Sequence, residues 1–342
     1  MHEITERGKL LVKGKLREAG YSKRMLLEYN RKDIRACPLR IKEWDYYLIT
    51  NGKYAVALTI ADNSYMGLDS ISLLDFRENP WEQTSGPMQF FTLGCKKFPS
   101  SSDKGNLYSF DKKHFISFEL VNGKRVLSFY MTNFRDNKPI TGNIELEMLD
   151  DESMVIATPY AEDKKAFYYN QKINCMPAKG KVVFDGKEYV FDKSDSFGVL
   201  DWGRGVWTYK NTWYWGSASG LIDGERFGFN IGYGFGDTSA ASENMLFYKG
   251  KAHKLSRVTF NIPMVDGQED YMSPWTFTSD DGRFEMNFKP VIDRASKTDF
   301  KLLCSDQHQV FGLFSGKAVL DDGTVLELKD FFGFAEKVFN KW

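Results

Sequence analysis

SFGVLDWGRGVWTYKNTWYWGSASG, residues Ser196 to Gly220, packs Trp202, Trp207, Trp213 and Trp215 into fourteen positions around one acid, Asp201, and one guanidinium, Arg204. Aromatic and β-branched residues dominate it, and no 3.6-residue apolar period runs through it. It therefore reads as strand. Its place near the middle of the chain makes it the junction between two β units and the first strands of the second.

The same grammar continues outward. HFISFELVNGKRVLSFYM (His114 to Met131) is two alternating runs around Asn122-Gly123, a pair that marks a tight hairpin between strands. Asp185-Gly186, Asp223-Gly224, Asp281-Gly282 and Asp322-Gly323 repeat the signal. Short helices are expected only near Trp81 and over 162–170. The chain is thus an all-β meander, which points to barrels or sandwiches. KEWDYYLITNGKYAVALTI (Lys42 to Ile60) and KNTWYWGSASGLIDGERFGFNI (Lys210 to Ile231) share an order of aromatic strand, tight turn and second strand. That duplication suggests two similar barrels in tandem. Pro177 and Gly180 punctuate NCMPAKG (Asn174 to Gly180), so the expected division is 1–178, a basic N-terminal strap with the first barrel, and 179–342, the second barrel.

The 342 residues suffice for two domains that need no metal or disulfide to hold them together. Lys+Arg and Asp+Glu number 46 each, and this balance argues against a general nucleic-acid binder. Cys37, Cys95, Cys175 and Cys304 form no CxxC pair, and no apolar stretch approaches a membrane span. The start carries no signal-peptide pattern. These features set the expectation of a soluble, reduced, cytoplasmic chain without an integral membrane segment.

Familiar site motifs fail on inspection. GYGFGD (Gly232 to Asp237) has strands on both sides and no helix to follow, so it is not a dinucleotide fingerprint. GSASG (Gly216 to Gly220) carries Ala218 where a nucleophile elbow needs a hydroxyl. The four histidines show no ligand spacing. Neither a cofactor nor a metal is expected.

Two constellations remain. Asp201 among tryptophans is costly to bury without a partner, and Arg204 is the nearest candidate. Apolar walls would raise its pKa and make it a general acid, with Arg204 setting its charge state and Tyr209, Trp213 and Trp215 lining a cavity. The second lies in GYGFGDTSAASENMLFYKGKAHKL, where Asp237, Glu243 and Asn244 would orient the head group of a ligand. Turn chemistry is the plainer reading of the same residues. Trp207, in Gly205-Val206-Trp207, is expected to be structural. A Gly-x-Trp opening a strand resembles the start of a lipocalin-type barrel, where an Arg packs over the Trp face.

The stretches NQKINCMPAKG (Asn170 to Gly180), LDWGRGVWTYKNTWYWGSASG (Leu200 to Gly220), GFNIGYGFGDTSAASEN (Gly228 to Asn244), HKL (His253 to Leu255), FGFAE (Phe332 to Glu336) and PLRIKEWDYYLI (Pro38 to Ile49) resemble the family known as domain of unknown function 2804. More distantly, YYNQK (Tyr168 to Lys172) with GKVVFDGKEYVFD and GVLDWG is similar to the carotenoid hydratase and AttH-like group. That resemblance implies two lipocalin-like (calycin-like) antiparallel barrels in tandem. It also implies apolar polyene or terpenoid substrates, or lipophilic ligands. The His common beside the acid in that group is absent here. Three readings follow. The first is binding of a small lipophilic ligand in or between the barrels. The second is a metal-independent hydratase, isomerase or cyclase acting on an apolar substrate. The third is a structural or interaction protein whose barrels are filled by their own side chains.

Overall fold

In the computed structural model, which describes residues 1–300 and 303–341, two large antiparallel sheets follow one another along the chain. Through the middle of the first run, in spatial order, Tyr54–Asp62, Ile41–Thr50, Phe197–Val206, Asp163–Phe184 and Lys138–Glu147. The second is built around Glu225–Tyr233, Lys210–Ile222, Val325–Lys341, Leu303–Val319 and Phe284–Phe300. The chain is all-β, a tandem pair of lipocalin-like barrels, and the helices among the described residues are two 3₁₀ turns, Arg31–Asp33 and Pro38–Arg40.

The predicted hairpins form. Asn122-Gly123, Asp185-Gly186 and Asp223-Gly224 all take positive φ at both positions, as a two-residue turn matched to strand twist requires. The two expected helices do not form. Trp81–Ser85 is a strand against Met66–Asp75, and 162–170 lies almost entirely within the 22-residue strand Asp163–Phe184. Most of its residues from Ala166 to Ala178 are buried, on both faces of the strand. A segment buried on both faces carries no period that distinguishes helix from strand.

The Ser196–Gly220 stretch holds the changeover. Phe197–Val206 closes the middle of the first sheet, and Lys210–Ile222 opens the second. The expected boundary at 178/179 falls inside Asp163–Phe184, all of whose ladders belong to the first sheet. A β-bulge in this strand is what docks the halves. Register slips between Ile173 and Met176, and Cys175 takes a φ of 60°. There Asn174 Nδ2 donates to Ser217 Oγ at 2.8 Å, and the Cys175 N–H donates to Ser219 Oγ at 3.1 Å, both on the second sheet.

The basic N-terminal segment is a strap. Gly20–Ser22 adds to the edge of Met154–Tyr160, Leu10, Leu27 and Tyr29 are buried, and the His2 N–H reaches the Ala240 carbonyl of the second half. The interior of the second barrel is filled by rings. Phe229, Phe284, Phe288 and Phe314 are fully buried, with centroids 4.5 to 5.0 Å apart.

Candidate active site between the barrels

A strand sends successive side chains to opposite faces. In Phe197–Val206 this separates the two residues expected to pair, because Asp201 and Arg204 are three apart. Arg204 points into the first barrel. Its guanidinium bonds Asp45 at 2.9 Å and the carbonyls of Trp44, Gly203 and Pro99, and it lies 4.0 Å from the Trp202 ring centroid. The Asp201–Arg204 pairing is therefore corrected, and the arginine-covered tryptophan is Trp202 rather than Trp207. Trp207 is the buried hub of an aromatic cluster, edge-on to Trp44, Tyr168 and Trp213.

Asp201 points the other way, toward the second barrel. Directly across the ladder is Lys172, whose Nζ bonds Asp201 Oδ1 at 2.8 Å. Asn170 Nδ2 donates to the same oxygen at 2.6 Å. Tyr168, Asn170 and Lys172 share one face of the long strand, two residues apart, so the first barrel presents them together with Asp201. The Lys172 ammonium also sits 3.8 Å from the centroid of Trp215, on the facing barrel.

The second barrel supplies two more acids. Glu336 lies between Trp215 and Gln309 in the ladder of Val325–Lys341. It accepts hydrogen bonds from Trp213 Nε1 and Gln309 Nε2, each at 3.0 Å. Burial pushes its pKa up to about 7 against those donors and the positive charges of Lys172 and Arg294. Glu243, in the loop after Glu225–Tyr233, accepts from the Tyr168 hydroxyl at 2.9 Å across the junction. Burial raises its pKa too, opposed by Lys172 and reinforced by the charge of Asp201. Gly232 makes room for it, since a Cβ there would lie 3.1 Å from Glu243 Oε2 and 2.7 Å from the Tyr214 carbonyl oxygen.

Three buried carboxyls from two barrels thus meet at the junction: Asp201 bonds Lys172, the charge of Lys172 also acts on Glu243 and Glu336, Arg294 acts on Glu336, and Lys254 and Glu243 act on each other. Aromatic faces flank the set. Tyr168 stacks on Phe235 at 4.8 Å and on Trp44 at 6.0 Å. On the other flank, Leu48, Val199, Phe311 and Phe334 line an apolar crevice of about 10 Å³. Asn170 Oδ1 is buried at the centre without a hydrogen-bond partner among the described residues.

Of the residues predicted from sequence, Asp201, Trp213, Trp215 and Glu243 converge here. The others stand elsewhere. Tyr209 is half exposed beside Lys341. Asp237 is exposed and caps its own turn by accepting from the Ser239 N–H. Asn244 is buried between the Gly232 N–H and the Ser256 carbonyl, a backbone clasp. Lys172, Asn170, Tyr168, Gln309 and Glu336 were not singled out, although YYNQK and FGFAE contain four of them. The cluster of polar residues Asn170, Gln171, Lys172 and Asn174 in a buried strand was the available signal. Among the described residues no group of three or more His, Cys, Asp or Glu is arranged to hold a metal ion.

Fold and junction together define a tandem lipocalin-like protein with an acid set between its barrels. The chain belongs to the family described as Domain of unknown function (DUF2804), whose model matches residues 1–342. Kievitone hydratase from Nectria haematococca is similar in structure, with a TM-score of 0.50, 11% identity, and coverage of 88% of each chain. A putative AttH from Nitrosomonas europaea (TM-score 0.47, 11% identity, 91% of this chain and 96% of that one) and CghA (0.46, 10%, 90% and 89%) are also similar. At the level of sequence no curated protein matches. At these identities the likeness to the hydratase speaks for the fold.

Proposed function

We propose that the protein is a proton-transfer enzyme of the hydratase, isomerase or cyclase kind, acting on an apolar substrate at the junction of its barrels. One observation carries this reading: the carboxyls of Asp201, Glu243 and Glu336 are all buried at the junction, where Lys172 bonds Asp201 and its charge acts on the other two. Burial disfavours the ionised forms of Glu243 and Glu336, so the site favours a stored proton. Glu336, with a pKa of about 7, is poised to give that proton up and take it back. Asp201 is bonded to Lys172, and the acid role moves from Asp201 to Glu336.

The chemistry balances on these groups. The Glu336 carboxyl gives its proton to a C=C bond of the substrate, whose π pair forms the new C–H bond. Trp213, whose indole N–H bonds Glu336, is the ring placed to shelter the cation. Water or an internal nucleophile closes it, and the proton released returns to the carboxylates. Asn170 Oδ1, an acceptor within the set, suits a water or hydroxyl donor. Kievitone hydratase is by name a hydratase, which accords with this class.

Protonation of carbon leaves a solvent hydrogen in the product. Incubating the protein with isoprenoid and other polyene substrates in D₂O should give deuterated products by mass spectrometry, and Glu336→Gln should abolish them. Equal incorporation by the folded variant would remove Glu336 from the reaction. Unchanged ligand recovered from the wild-type protein would support simple binding.

A further inference from the structure

The first sheet ends in two edge strands, Met88–Phe90 and Leu107–Phe110. Their inward residues, Gln89 and Ser109, both donate to Asp69 Oδ2, at 3.2 and 2.6 Å. This shared carboxylate brings the edges together. Their outward residues are apolar. Phe90 and Phe110 are each 71% exposed, with Met88 and Tyr108 beside them.

The loop that follows adds Phe91, 68% exposed, and Leu93. Both take positive φ, 56° and 46°, which is unfavourable for large side chains. The loop is nonetheless pinned from within. Asp62 accepts from the Thr92 hydroxyl at 2.7 Å and the Gly94 N–H at 2.9 Å, while the Phe91 and Leu93 N–H groups bond the carbonyls of Tyr65 and Ser64. Buried Thr92 holds the loop down, and its two neighbours are held out. Exposures this high place the rings on protrusions, not in a groove.

The rim is basic. Lys97, Lys104, Lys112 and Lys113 are exposed and make no ion pair among the described residues. The two nearby acids are already engaged, Asp103 by Arg125 and Asp111 by His114. Protruding aromatic and aliphatic tips ringed by unpaired lysines match the interfacial region of an anionic bilayer, where apolar tips enter the acyl boundary and ammonium groups meet headgroups.

We propose that Met88, Phe90, Phe91, Leu93 and Phe110, with the lysines around them, form a docking surface for an anionic lipid membrane. The inference is independent of the chemistry at the junction. The test is flotation of the full chain with vesicles of phosphatidylcholine alone and with phosphatidylserine added. Binding is expected to the phosphatidylserine vesicles and to fall with added salt. Phe90→Ser with Phe91→Ser should weaken it tenfold or more, and so should Lys112→Glu with Lys113→Glu, both with unchanged circular dichroism. An unbound wild-type chain, or binding indifferent to both double variants, overturns the proposal. So does self-association that the Phe90→Ser, Phe91→Ser variant abolishes without any vesicle binding, because the patch would then be a protein interface.

Discussion

Two buried cations sit on adjacent strands and behave differently. Arg204, inside the first barrel, meets one carboxylate, three carbonyls and an indole face. Its charge is matched by Asp45 and both terminal nitrogens are bonded, while Nε has no hydrogen-bond partner among the described residues. Lys172, at the junction, serves Asp201 directly while Glu243 and Glu336 share its field. The arginine site is balanced and the lysine site has acid to spare. Burial next to a charge is common to both, so burial alone does not mark function. The surplus does, because a surplus of carboxyls must keep a proton.

The contrast breaks most visibly at the balanced site. Arg204→Met leaves Asp45 buried without its cation, and breaking such a pair costs about 3–5 kcal/mol. Urea denaturation should show that loss, and a variant as stable as the wild type would mean that the first barrel does not depend on the pair.

The surplus should appear as a pH dependence of opposite character. Glu336 moves from an ordinary 4.5 to about 7 on folding, so between those values the folded state binds more protons than the unfolded state. Stability contributed by this group is therefore greatest below 4.5, declines as pH rises to about 7, and is level above. The span is about 3 kcal/mol. Glu336→Gln should flatten that window in urea midpoints measured across it. A slope unchanged in the variant would assign the proton to Glu243.

The smallest effect belongs to a residue that the sequence suggested and the junction does not use. Tyr209 is half exposed, so Tyr209→Ala should stay within about 0.5 kcal/mol of the wild type. It should also leave deuterium incorporation intact. A lost activity there would extend the site beyond the buried set.

The architecture was legible because its signals are local. Asn122-Gly123, Asp185-Gly186 and Asp223-Gly224 state their turns in two residues each. The site was legible only in part because its members meet through register. Lys172 faces Asp201, and Glu336 faces both Trp215 and Gln309, through ladders between distant segments. Nothing local sets those pairings. The proximity of Arg204 to Asp201 in sequence misled for the same reason, since an odd spacing in a strand puts two side chains on opposite faces. Helical spacing would have brought the same two residues together.

The bulge at Asn174 and Cys175 anchors the halves, but the acids themselves are spread along the chain. Asp201 lies on Phe197–Val206, in the middle of the first sheet, while Glu336 sits on Val325–Lys341, which in chain order follows every other strand of the second sheet. That strand must insert between Lys210–Ile222 and Leu303–Val319 before its carboxyl reaches Lys172. The first barrel displays Asp201 beside Lys172, yet by itself it does not hold the full acid set. Chemistry that would generate a reactive cation is thereby deferred until the second barrel has closed against the first.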